Sequence, residues 1–360
     1  MVALGGPGVS ACGRSSLLDI VDTPQRDASS EEVGPPLDAS LPLEAGVDAN
    51  LGSPCPGQSD GVVTLADVEP SFSPAIENQA IAAADGYVYW VANGDTTGTT
   101  MGAVFRVPRC GGPVTILADN QIDPVTVAVS GGYVYWTTTG DHNTGTAIGT
   151  LMREPVTGGR LTLLAMGPAV FSYYFTVDSE YVYSTAFVDT FGAWRMALSG
   201  GAMQDITPNN QWIFHTVVVD EARAYMTAPG TEVNYLVSVP IGGGDADVLL
   251  MNKIPFPGLL AEDERYLYFP TTDNTLERLN KDGSNPLTLA SDILPSALAV
   301  DAQSAYVSVN EGGSSDGIFS IPVAGGAMTT LSTKGGVALA VDDYYAYWLD
   351  YQSHVYRVRK

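Results

Sequence analysis

Histidine, cysteine and basic residues are scarce in this chain of 360 residues, and each scarcity removes a class of function. Three histidines (His142, His215, His354) and three cysteines (Cys12, Cys55, Cys110) are too dispersed for a zinc site, which takes several such ligands in close spacing. Lysine and arginine total 16 against 40 acidic residues, a formal net charge of −24. A surface of that sign repels phosphate backbones and anionic headgroups, which argues against nucleic acid as a partner and reads as solubility outside the cytoplasm. No apolar run approaches the roughly 18 residues of a membrane-spanning helix, so membrane attachment could come only through a lipid anchor. Missing too are a helical period, a G-x-S-x-G elbow, a phosphate loop and a dinucleotide fingerprint leading into a helix. Gly242-Gly243-Gly244 joins two strand-like runs and reads as a hairpin turn.

What is present begins with Val9-Ser10-Ala11-Cys12, a branched apolar residue, two small residues and a cysteine. This resembles a bacterial lipobox and implies a signal-like segment over residues 1–12, lipidation at Cys12, and export to the outer membrane, cell surface or periplasm. Residues 13–60 scatter Pro24, Pro35, Pro36, Pro42, Pro54 and Pro56 among Asp, Glu, Ser and Ala. Such a composition cannot repay the entropy of ordering, so the segment is expected to be a disordered acidic tether. It would reach on the order of 40 Å as a flexible coil.

From Gly61 to Lys360 a unit repeats. Its fullest copy runs Val125–Val129, a Gly131-Gly132 turn, Tyr133–Thr137, a polar loop, Gly149–Pro155, a Gly158-Gly159 turn and Leu161–Ala165. These are four β-branched and aromatic runs joined by glycine turns. The second-strand anchor recurs at Tyr89, Tyr135, Tyr183, Tyr225, Tyr268, Tyr306 and Tyr347. The chain ends one strand short after the seventh anchor, and Val62–Ala66 supplies a spare strand at the other end. The expected fold is therefore all-β: a seven-bladed β-propeller of four-stranded blades over 61–360, its last blade closed by the N-terminal strand. Cys110 falls in a turn of the first complete blade and Cys55 just before the closing strand, in the neighbouring blade. A Cys55–Cys110 disulfide would lock that closure, with free thiols as the alternative.

Tyr266-Leu267-Tyr268-Phe269 with the later Leu279–Asn285 run, and Tyr345–Asp350, are similar to the repeats of YWTD-type propellers. The whole series resembles bacterial lipoproteins with YVYW repeats, and more distantly NHL-type propellers. The resemblance implies a scaffold with a loop face, and a blade count that departs from the six usual among YWTD domains. Those domains mostly bind proteins; the related bacterial propellers include binders and a few lyases.

Candidate chemistry lies where the copies differ. An aspartate follows the first strand of several units (Asp178, Asp220, Asp263, Asp301, Asp342), where capping its own turn outweighs ion binding as the expectation. Loops between second and third strands carry Asp95, Asp141, Asp189 and Asp273, oxygen ligands of the sort Ca²⁺ or Mg²⁺ takes, without the spacing of a calcium loop. Ordinary polar loops are the expected reading, with no cofactor. On the same face, the connections into the third to fifth blades bring Tyr173, Tyr174, Trp212, His215 and Phe256 towards the channel mouth, as ligand contacts or as packing. Phe175 and Phe214 are expected to pack. His215 is the one candidate general base. The leading function is a monomeric envelope binding module for a protein, peptide or glycan; the alternative is a cation-dependent lyase or hydrolase built on His215.

Overall fold

Alternating apolar residues in short runs, broken by glycine pairs, dictate strands and hairpins and leave no stretch for a helix. The computed structural model describes residues 53–57, 60–67, 73–74, 80–94, 101–139, 148–167, 174–185, 192–208, 212–230, 233–251, 253–255, 258–313 and 315–360. These lie within one compact unit, Ala45–Lys360. They form seven antiparallel sheets in a ring, a seven-bladed β-propeller.

Six blades are built from consecutive strands, running from the central channel outwards. The second blade is typical: Pro124–Ser130 is innermost, followed by Tyr133–Thr138, Gly149–Pro155 and Thr162–Gly167. The inner position of the first blade is shared by Ser73–Pro74 and Ile81–Ala84, which pair with successive parts of Tyr87–Asn93. The seventh blade is composite, with Val63–Asp67 pairing antiparallel to His354–Arg359 outside Tyr345–Leu349 and Ala338–Val341. A register shift marks the junction of third and outermost strands in every blade except the third, whose outer strand is only Gln204–Asp205. Such bulges add local twist, as a radial blade needs.

The seven tyrosine anchors occupy the second strands and are at most 3% exposed. Trp90, Trp136 and Trp348 beside them are fully buried. Trp90 stacks on Phe105 and Trp348 on Tyr356, each across one blade. The turns between third and fourth strands end in glycine pairs with φ of 88° and 144° at Gly111-Gly112 and 83° and 147° at Gly158-Gly159. Two successive left-handed positions admit glycine and little else.

Ser53 to Gly57 belongs to the ordered body, although composition puts the tether's end at residue 60. The reason is a set of contacts that the sequence conceals. Cys55 is bonded to Cys110 in the first blade. Its amide donates to the Tyr345 hydroxyl (2.7 Å), and Arg109 Nη2 donates to the Ser53 carbonyl (2.6 Å). Arg357 Nη1 reaches both Cys55 Sγ (2.6 Å) and the Arg109 carbonyl (2.8 Å). The signal-like segment 1–12 with Cys12, and residues 13–52, lie outside the described residues.

Candidate functional site

Antiparallel connectivity puts the turns after first and third strands on one face of the ring. The loops after second strands, and the connections between blades, lie on the other. On the turn face the repeated aspartates are engaged by their own hairpins. Asp263 Oδ1 accepts the amides of Arg265 and Tyr266 (both 2.7 Å), and Oδ2 accepts the Tyr268 hydroxyl (2.6 Å). Asp178, Asp220, Asp301 and Asp342 repeat the pattern with Tyr183, Tyr225, Tyr306 and Tyr347. Capping is thus their role, and each also satisfies the buried hydroxyl of its blade's anchor.

Lysines reinforce two of these carboxylates. Lys281 Nζ lies 3.1 Å from Asp220 and 2.7 Å from Glu262, and Lys360 pairs with Asp301. Burial alone would raise Asp220 and Asp301, but the lysines and the backbone amides outweigh it and hold both below the usual carboxylate range. Burial wins at Glu262, which stays raised despite Lys281.

A second repeated device was not anticipated from the sequence. Arg106, Arg153, Arg195, Arg278 and Arg357 sit in third strands directly opposite the anchor tyrosine. Each guanidinium stacks on the tyrosine two residues before that anchor, at 3.8–4.8 Å from the ring centroid. Arg106, Arg153 and Arg357 then donate to the turn carbonyl of the next blade, at Val156, Leu198 and Arg109 respectively. The fourth and sixth blades have Ser238 and Ser320 in place of the arginine.

On the loop face, Asp95, Asp141, Asp189, Tyr173 and Phe256 lie outside the described residues. Asp273 is exposed, its amide donating to Thr271 Oγ1. His354 is held by Asp350 and Asp67. Among the described residues, no group of three or more His, Cys, Asp or Glu is arranged to hold a metal ion. Tyr174, Trp212 and His215 gather where the third and fourth blades meet. The Thr185 hydroxyl of the third blade donates to the His215 carbonyl (2.7 Å), and the His215 amide donates to the Thr227 carbonyl of the fourth (2.9 Å). The His215 ring lies 6.4 Å from that of Tyr174, which is 9% exposed. Burial lowers the His215 pKa to about 4, so its imidazole is neutral at pH 7. Trp212 is half-buried and stacks on half-buried Tyr235 at 5.1 Å, with Phe214 buried beneath it.

The central channel is a cavity of about 380 Å³ walled by small and aliphatic residues, among them Ala82, Ala128, Val177, Val219 and Leu298. Phe175 and Glu262 also reach its wall, whereas Tyr174, Trp212 and His215 do not. The aromatic cluster therefore belongs to a blade junction, because its backbone is tied to the second strands on either side.

No family model and no curated protein matches the chain. Solved structures do. A catalytically inactive virginiamycin B lyase from Staphylococcus aureus, with quinupristin, aligns over 83% of this chain and 99% of its own at 12% identity and TM-score 0.57. A computationally designed protein aligns over 82% and 98% at 12% identity and TM-score 0.54. A chain from a nidogen–laminin complex aligns over 68% and 75% at 14% identity with TM-score 0.38, too low to carry an argument. At these identities the likeness is one of fold.

Proposed function

We propose that the chain is an extracytoplasmic binding module, tethered through a lipid on Cys12, whose loop face takes a protein, peptide or glycan. The observation that carries this reading is the paired aromatic surface at the junction of the third and fourth blades. Half-buried Trp212 and Tyr235 stack at 5.1 Å over the buried Phe214, and the Tyr174 ring lies 6.4 Å from that of uncharged His215. Rigid rings with polar edges give contact area at low entropic cost. The disulfide and the acidic balance suit an oxidising, exported setting.

A lyase or hydrolase using His215 as base draws on the same histidine, and a lyase shares the fold. A base with a pKa of about 4 is deprotonated at pH 7 but provides little driving force for abstracting a proton. That favours binding over turnover. The test is retention of peptidoglycan fragments and of envelope proteins on the immobilised full chain, compared with a Trp212→Ala/His215→Ala variant. Retention should fall at least ~10-fold in the variant while its circular dichroism stays unchanged, the size of effect expected for an aromatic hot spot. Equal retention would move the ligand to another surface, and turnover lost on chelation of divalent ions would favour the enzyme.

A further inference from the structure

The arginine stacks close three blade junctions and leave two without that bond: at Arg195, where a cleft of about 570 Å³ lies between the third and fourth blades, and at Arg278. Wherever Arg106, Arg153 or Arg357 reaches the next blade, it caps the carbonyl at the start of that blade's glycine-pair turn. By the repeat's own logic Arg278 of the fifth blade should cap Val323 of the sixth. Arg278 instead lies 3.8 Å over the Tyr266 ring and makes no hydrogen bond or ion pair with any described residue. Arg195, the other stacked arginine without that bond, is turned aside by Gln204, whose Oε1 accepts from its Nε at 3.0 Å. Between the fifth and sixth blades a cleft of about 640 Å³ remains, with Arg278 on one wall and Val323 on the other. That is within the size range of small-molecule sites.

The charges around the cleft are unequal in availability. Glu262 is paired with Lys281 and Asp301 with Lys360. Asp263 is occupied by two backbone amides and Tyr268. Asp263 keeps its charge, so it and exposed Glu264 together balance Arg265 and Arg278. Val300, Ala302, Val323 and Ala324 make the rest of the wall apolar. A guanidinium is a fork of donors that matches a carboxylate in two parallel bonds, and the Tyr266 ring holds this one flat.

We propose that the junction of the fifth and sixth blades is a binding site for a carboxylate carried on an apolar body, with Arg278 as its anion-binding group. The ligand's two oxygens take the donors that other junctions give to a turn carbonyl, and its body lies against Val300 and Val323. The site is on the turn face, opposite the Trp212 surface, and does not depend on it.

Titration calorimetry of the full chain with N-acetylphenylalanine and with its uncharged amide tests this directly. The acid should bind, and the amide should bind ~10–100-fold more weakly, the value of a charge-assisted hydrogen-bonded pair. Arg278→Gln should lose the acid by a similar factor and Arg278→Lys should lose less, because it keeps the charge without the fork. Arg106→Gln, at a closed junction, should lower thermal stability and leave binding unchanged. Acid and amide binding alike, undiminished binding by a folded Arg278→Gln, or no heat from the acid up to about 20 mM, well above a weak ~1 mM site, would each overturn the proposal.

Discussion

At the scale of single residues, the anchor tyrosines are chemically unequal although they occupy equivalent places. Tyr183, Tyr225, Tyr268, Tyr306 and Tyr347 each donate to the aspartate of their own hairpin. Tyr89 has no such partner: its hydroxyl is buried and unbonded. The preceding hairpin explains this, because Asp85 sits in the turn itself at φ 52° and is not placed to receive the hydroxyl. Removing a hydroxyl that donates to a carboxylate costs a charge-assisted bond, whereas removing an unbonded one relieves a desolvated dipole. Tyr268→Phe should therefore lower stability by about 1–3 kcal/mol, and Tyr89→Phe should be neutral or slightly stabilising. Denaturant midpoints of the two variants decide it, and equal losses would mean that ring burial alone sets the anchor's worth. The aspartate–tyrosine spacing is constant from copy to copy, so this device is legible in the sequence once the repeats are aligned. The arginine stacks are not. The loop between second and third strands varies in length, so Arg278 follows Tyr268 much more closely than Arg153 follows Tyr135. Only strand register brings each arginine opposite its tyrosine.

At the scale of elements, the segment from Ser53 to Gly57 behaves as a latch. It has no strand of its own, yet the disulfide, hydrogen bonds from Arg109 and Arg357, and one donated by the Cys55 amide to Tyr345 join it to the first and seventh blades at once. Composition conceals this, because two prolines, a glycine and a serine around Cys55 read as a continuation of the tether. The disulfide closes a loop with a sequence separation of 55 residues, and a loop of that order constrains the unfolded chain by roughly 2–4 kcal/mol. Replacing both Cys55 and Cys110 by serine should lower the unfolding free energy by that amount without altering the sheet content. Urea denaturation monitored by circular dichroism measures both quantities. A larger loss accompanied by a changed spectrum would mean that the bond also templates the seventh blade. The same uneven legibility holds on the loop face. Tyr174, Trp212 and His215 stand out in the sequence as large residues entering the third and fourth blades. Their seat between those blades is set by strand ends and by the Thr185 and Thr227 bonds, which no local pattern announces.

At the scale of the whole molecule, the ring depends on chain ends that are distant in sequence. Without Val63–Asp67, the strand His354–Arg359 would present an unpaired edge, and the core that buried Val355 shares with Leu65 and Ala66 would lose part of its packing. An uncovered edge strand with apolar residues on one face is a template for pairing with another copy. The serine double variant keeps the closing strand but lacks the covalent latch, so it should keep the parent chain's oligomeric state while being less stable. A variant lacking residues 1–67 loses both, and it should form dimers or larger species through the exposed edge of the seventh blade. Size-exclusion chromatography with light scattering separates the two outcomes. If the truncated chain kept the parent chain's oligomeric state with the stability of the serine variant, the ring would be held by blade-to-blade packing and the arginine stacks rather than by strand closure. Association of the truncated chain alone would make the closing strand the element that keeps this highly acidic ring discrete.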